Sequence, residues 1–321
     1  MHQKPTTILL AALLVLANFA VSGKAFAQAS AYAEEYIPEL LPQGYPSGLI
    51  ADNQSSPYLF WVALSDGRLH VLERLLSGQY REIENIPISI GKQGYGKEVE
   101  GDQKTPVGIY TMTSFIEDER LDDFYGIGAY PIDYPNAWDR LSGRTGYGIW
   151  LHGLPKGVDE RPLLDSNGCV VIDNSKLDKY SEYIVTGKST MVLTETLDWL
   201  EQPEQQDSAD VMQAIGRWVS QWESLNTEEY LSNYHPDFTD FERDLEDWSL
   251  YKARINSAKE YIDVELSQLS VFTYPGEEGM VVTRFFQDYE SSNFSWKGWK
   301  QLLWRRNSES GDWQIIYEGN G

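Results

Sequence analysis

The sequence predicts a mainly β domain followed by an α+β domain, and three observations carry that expectation. A chain of 321 residues is longer than one hydrophobic core usually spans and suits two modest domains. Up to about residue 193 the apolar runs are short and are cut by Gly, Pro and Asp clusters, which favours strands over alternating βαβ units. A polar break over 201–210 (Glu-Gln-Pro-Glu-Gln-Gln-Asp-Ser-Ala-Asp) then separates this region from one that shows helical periodicity first and strands afterwards.

Taken in order, residues 1–27 read as an export signal. A polar start ending at Lys4 leads into an apolar run from Ile8 to Val21 and then Ala25-Phe26-Ala27, the small-x-small pattern cut by signal peptidase, so cleavage is expected after Ala27. The run falls short of the roughly 20 residues of a spanning helix, which disfavours an uncleaved anchor, and no stable membrane insertion is expected. Residues 28–54, punctuated by Pro38, Pro42, Gly44, Pro46 and Gly48, read as an irregular lead-in.

The first domain, 55–200, opens with a hairpin whose strands are Tyr58–Leu64 and Arg68–Glu73 across a Ser65-Asp66-Gly67 turn. Further strands are predicted over Ile86–Ile90, Gly108–Thr113, Gly148–His152, Cys169–Ile172 and Thr190–Leu193, with a helix over 175–184 capped by Asn174 or Ser175. After the 201–210 linker, the second domain, 211–321, begins with a helix over Val211–Leu225, whose Val211, Ile215, Trp218, Val219 and Trp222 recur at helical spacing. A second helix near Leu245–Ala258 precedes strands over Ile262–Thr273, Met280–Tyr289, Trp299–Arg306 and Trp313–Tyr317. Trp248, Trp296, Trp299, Trp304 and Trp313 read as core, with the option that some line a pocket.

A formal net charge of −23 excludes nucleic acid as a partner, because phosphate backbones are bound by Lys and Arg. The acidic surface reads as a solubility device. Cysteine usage says more. An exported chain meets an oxidising compartment, yet Cys169 is the one cysteine and has nothing to pair with inside the chain, which marks either a reactive thiol or a small buried hydrophobe. The four histidines, His2, His70, His152 and His235, show no metal-ligand spacing, so no metal and no cofactor is expected. His70 reads as structural and His235 as a packing or capping residue.

Two segments surround that thiol with suitable chemistry. Gly148-Ile-Trp-Leu-His152-Gly153 and, after a charged loop, Asp165-Ser166-Asn167-Gly168-Cys169-Val-Val-Ile172 place an imidazole and a thiol at strand–loop junctions, with glycines that permit tight turns. These segments resemble the His-Gly and Ser-His-Gly-Cys hallmarks of the L,D-transpeptidase (YkuD-type) catalytic domain. Gly101 to Tyr110, with its Thr105-Pro106-Val-Gly108 core, and Tyr134-Pro135-Asn136 through Asp139 to Gly143-Arg144-Thr145-Gly146 extend the likeness, which spans about residues 55–195. The second domain is similar, more loosely, to the NTF2-like module that follows this catalytic domain in cell-shape carboxypeptidases.

The resemblance implies a peptidoglycan enzyme of the periplasm that works on tetrapeptide stems through an acyl-enzyme. Cys169 would be the nucleophile, His152 the general base and acid, and Gly153 the carbonyl that orients the imidazole. Backbone N–H groups around Gly168 and Cys169 would form the oxyanion hole, with Ser166 and Asn167 beside them, and Arg144 would anchor a substrate carboxylate. Asn167 and Val171 depart from the family's usual His and its usual Arg or Asn, which leaves two acceptors open: an amine, giving an L,D-transpeptidase, or water, giving an L,D-carboxypeptidase. A catalytically silent wall-binding protein is the reading that the intact His152, Gly168 and Cys169 oppose. The second domain is expected to fold separately and to assist substrate binding or pair two copies in a homodimer.

Overall fold

The computed structural model describes residues 42–203 and 206–321, so the export signal and the first part of the lead-in lie outside the described residues. In chain order the first domain comprises β1 (Gln43–Pro46), β2 (Leu49–Asp52), β3 (Tyr58–Ala63), β4 (Arg68–Arg74), β5 (Tyr80–Pro87), β6 (Ile90–Gly91), β7 (Gly108–Thr111), β8 (Ile116–Glu117) and β9 (Gly128–Pro131). It continues with helix α1 (Ala137–Leu141), β10 (Trp150–Gly153), β11 (Leu164–Ser166), β12 (Val170–Ile172), helix α2 (Asn174–Ser181), β13 (Thr190–Thr194) and β14 (Trp199–Leu200). The second comprises helices α3 (Gln206–Glu223) and α4 (Thr227–Leu231), β15 (Tyr234–Thr239), helix α5 (Leu245–Asn256), and the long strands β16 (Ile262–Thr273), β17 (Met280–Ser291), β18 (Phe294–Arg306) and β19 (Trp313–Asn320).

Within the described residues the first domain is built on a sheet ordered β14-β1-β5-β4-β3-β13-β7, faced by a smaller sheet β12-β10-β9-β8. Between them lies a core of Phe60, Val62, Leu69, Val71, Tyr110, Leu151, Val170 and Ile172 with their neighbours. Successive residues of β3 and β4 point to opposite faces, so Phe60, Val62, Leu69 and Val71 enter this core while Leu59, Trp61 and Leu72 are buried on the other side of the sheet. In the second domain, Val211, Ile215, Trp218 and Trp222 of α3 pack against a sheet ordered β15-β19-β18-β17-β16-β2, meeting Phe285, Leu302 and Trp304.

Two expectations are corrected here. The lead-in is irregular by sequence but is strand from Gln43 onward: β1 pairs with β5 and β14, whereas β2 leaves the first domain and adds itself to the edge of the second domain's sheet beside β16. Pro and Gly in this stretch fall at strand ends and turns, where they do not break pairing. Separate folding of the second domain is also at odds with the packing, because a third core joins the two. Leu59, Trp61, Leu72, Ile109 and Val192 from the first domain are buried against Phe272, Tyr274, Val282, Leu303 and Ile316 from the second.

Candidate active site

Register brings the site residues together. Strands β10 and β12 pair in parallel, with Leu151 beside Val170, His152 beside Val171 and Gly153 beside Ile172. Leu151, Val170 and Ile172 belong to the first core, so alternation puts Trp150, His152, Val171 and, one residue before β12, Cys169 on the opposite face. Extending the register by one residue sets Cys169 level with Trp150. His152 is then its diagonal neighbour on the adjacent strand, on the same face.

The imidazole of His152 is buried and fixed at one nitrogen, since Nδ1 lies 2.8 Å from the Gly153 carbonyl oxygen. A carbonyl only accepts, so Nδ1 carries the proton and Nε2 keeps its lone pair. Burial pulls the imidazole down to about 4 against the opposing Gly153 bond, and the positive charge of Arg161 lowers it further, so the ring is a neutral base at ordinary pH. Tyr125 stands edge-on 5.1 Å from the ring and Phe124 6.1 Å away, both from a short 3₁₀ turn over Asp123–Tyr125. A Cβ at Gly153 would lie 2.0 Å from Asn174 Oδ1, so any larger residue there has to displace the Asn174 amide. Asn174 accepts from the Ile127 N–H and donates to the Leu154 carbonyl, while Asp173, rather than Asn174 or Ser175, caps α2.

The half-buried Cys169 ends a loop locked by hydroxyls. Ser166 Oγ accepts from the Gly168 N–H at 3.0 Å and donates to the Cys169 carbonyl at 2.6 Å, and Thr105 Oγ1 donates to the Gly168 carbonyl at 2.9 Å. Gly168 sits at φ +126°, where a Cβ would meet the Lys104 carbonyl oxygen at 2.8 Å. The thiol donates to the Gly148 carbonyl at 3.5 Å. Burial pushes it up to about 11, with the Trp150 N–H and the Arg161 charge opposing, so the free protein holds a neutral thiol beside a neutral imidazole. Asn167 is exposed, its Oδ1 3.5 Å from the Lys92 ammonium.

Two site expectations need correction. The Gly168 N–H is already given to Ser166, so it is spent within the loop and does not point to an oxyanion. Arg144 is tied on both forks, to Asp139 Oδ1 at 3.0 Å and to Glu277 Oε1 of the second domain at 3.2 Å, and serves the domain junction instead of a substrate carboxylate. Sequence reasoning passed over Arg161, Tyr125, Phe124 and the structural bond from Thr105. Arg161 was hidden among the other charges of its loop. His70, read as structural, is buried against Glu82, and His235 Nδ1 accepts from the Asp237 N–H at 3.1 Å.

The second domain holds a cavity of about 1010 Å³ between α5 and the sheet. Lys252 reaches into it, 4.4 Å from the Trp248 ring centre and 4.5 Å from that of Trp222, and burial pulls its ammonium down to about 8 despite Glu318 nearby. Trp248 Nε1 and Gln287 Oε1, also on its wall, are buried without hydrogen-bond partners. No group of three or more His, Cys, Asp or Glu suited to a metal occurs among the described residues, and no helix among them is long and apolar enough to cross a membrane.

A paired-sheet β domain carrying one thiol and one oriented imidazole on a shared face, followed by an α+β domain, is the class that fold and site define. Residues 57–193 match the family model of the L,D-transpeptidase catalytic domain (YkuD), and residues 210–319 match that of the Cds6 C-terminal NTF2-like domain. The chain therefore consists of an L,D-transpeptidase-type catalytic domain with an NTF2-like domain behind it. Among solved structures it is similar to Bd1075 of Bdellovibrio bacteriovorus, at 27% identity over 86% of this chain and 97% of that one, with a TM-score of 0.71. It is also similar to the helical cell shape determining protein Pgp2 of Campylobacter jejuni, at 26% identity over 90% of this chain and 98% of that one, with a TM-score of 0.67. No curated protein is significantly similar in sequence.

Proposed function

We propose that this protein is an exported peptidoglycan L,D-transpeptidase that processes tetrapeptide stems through a thioester on Cys169. The observation that carries the reading is the His152 tautomer: with Nδ1–H held by Gly153, the free Nε2 lone pair is on the face that bears the thiol. His152 takes the thiol proton as sulfur attacks the diamino acid's carbonyl in its bond to the terminal D-Ala, and returns it to the departing D-Ala amine. An acceptor amine then attacks the thioester, giving its proton to His152, and the sulfur leaves and is reprotonated. Water in place of the amine makes the same enzyme an L,D-carboxypeptidase, a second reading favoured by Asn167 and Val171, which supply neither an imidazole nor a guanidinium next to Cys169. Likeness to a helical cell shape determinant supports a role in wall remodelling and cell shape. The cavity at Lys252, with its unpartnered amide and indole, supports a substrate-binding part for the second domain.

The test is incubation of purified protein with tetrapeptide muropeptides and mass analysis of the products. Release of D-Ala by the native chain and not by Cys169→Ala is expected, and equal release by both would sink the thioester mechanism.

A further inference from the structure

Arg161 lies in the loop between β10 and β11 and has no part in the scheme above. Its side chain is 9% exposed, which is low for an arginine on a loop. Two of its nitrogens are spent on Asp165: Nε donates to Oδ2 at 2.7 Å and Nη2 to the main-chain carbonyl at 2.5 Å. Nη1 is buried and has no hydrogen-bond partner. The guanidinium carbon stands 5.1 Å from the ring centre of Phe124, whose ring in turn lies 6.1 Å from that of His152. A cation of fixed orientation is thus held one aromatic ring from the base, by a clamp four residues from the nucleophile.

We propose that Arg161 is a positioning residue of the Cys169–His152 site, the fixed positive charge against which the sulfur becomes an anion during attack. The inference rests on the acyl-transfer reading. Charge from Arg161 opposes the burial that holds the Cys169 proton; it also adds to the burial that keeps His152 neutral, which leaves the ring free to accept a proton but makes it a weaker base. The other groups around the thiol do not replace it. The Tyr125 phenol, raised by burial and then by the thiol and Asp122, stays neutral and brings no positive charge, and Asp165 is itself an anion. Lys92 is exposed and tethered to Asn167, where water and salt screen it. Arginine suits a dry site of this kind because, unlike lysine, it keeps its charge when desolvated.

The test is the pH dependence of Cys169 alkylation by iodoacetamide in the full chain, which needs no peptidoglycan. Arg161→Gln is expected to raise the midpoint by about one pH unit, roughly a tenfold slower reaction at fixed pH, and Arg161→Lys by less than half of that. Asp165→Asn, which removes the negative charge neutralising the guanidinium, is expected to lower it. Shifts of the same sign for Arg161→Gln and Asp165→Asn would mean that Arg161 merely holds the loop, and the proposal fails; an unmoved midpoint in Arg161→Gln also overturns it. Should Arg161→Gln not fold, Asp165→Asn decides alone, with an upward or absent shift as the negative result. Midpoints that move as expected in a protein inert towards muropeptides would refute the peptidoglycan reading instead.

Discussion

Glu277, at the tip of the β16–β17 hairpin of the second domain, is bound to Arg144 of the first, Oε1 to Nη2 at 3.2 Å. The same carboxylate oxygen accepts from Trp138 Nε1 at 3.0 Å, and nearby Asn136 donates to the Tyr274 hydroxyl at 2.8 Å. These polar contacts rim the shared apolar core, so the segment expected to line a substrate groove, from Tyr134 to Gly146, is braced by the second domain.

A chain ended after Leu200 would leave Leu59, Trp61, Leu72, Ile109 and Val192 uncovered. At about 2 kcal/mol for each large apolar side chain returned to water, the loss rivals the whole stability of an ordinary domain. Such a truncation is expected to aggregate or to melt at least 10 °C below the full chain, measured by differential scanning fluorimetry. An equal Tm would show that the shared core contributes little.

A milder probe of the same junction is Leu303→Ala. Leu303 is 1% exposed within the shared core, and removing three buried carbons should cost about 2–5 kcal/mol in urea unfolding. A cost under about 1 kcal/mol would mean that the junction collapses around the gap.

At the site, Cys169→Ala and His152→Gln are each expected to lower D-Ala release at least about a thousandfold while circular dichroism stays native. His152→Gln should also blunt acid sensitivity. The folded imidazole sits near 4, below its unfolded value, so it adds stability above about pH 6.5 that is lost as pH falls through 4. Between pH 7.5 and 4.5 the native chain should lose about 2–3 kcal/mol more than the Gln variant in denaturant titrations. Parallel pH curves would show that His152 is not buried neutral.

Where period and chemistry were local, the sequence was readable. The continuous apolar run of β3, the strands β4 and β16 to β19, and the amphipathic α3 lie close to their expected positions because each carries its own local pattern of apolar residues. Cys169 and His152 stood out through residue type and glycine context. Illegible were the features that depend on distant partners. Four residues of β2 give no sign that their partner is β16, more than 200 positions away. Arg144 and Arg161 look alike in sequence, yet one is drawn to Glu277 across the domain junction and the other to Asp165 beside the thiol.

The last prediction concerns the acceptor. Reinstating the common family pattern calls for histidine at 167 and arginine at 171, and the structure separates the two changes. Asn167 is exposed beside Lys92, so Asn167→His should fold normally and set a titratable imidazole near Cys169. Val171 is 1% exposed, beside His152 on one side and exchanging main-chain bonds with Ser89 on the other. Arginine there would bury an unpaired charge, and Val171→Arg is expected to cost at least about 3 kcal/mol and to misplace the base. If the missing imidazole at 167 is what lets water compete, Asn167→His alone should raise the ratio of diamino-acid crosslinks to tripeptide product several-fold, read by muropeptide mass analysis. An unchanged ratio, with the variant folded and releasing D-Ala at the native rate, would show that acceptor choice is set elsewhere in the groove.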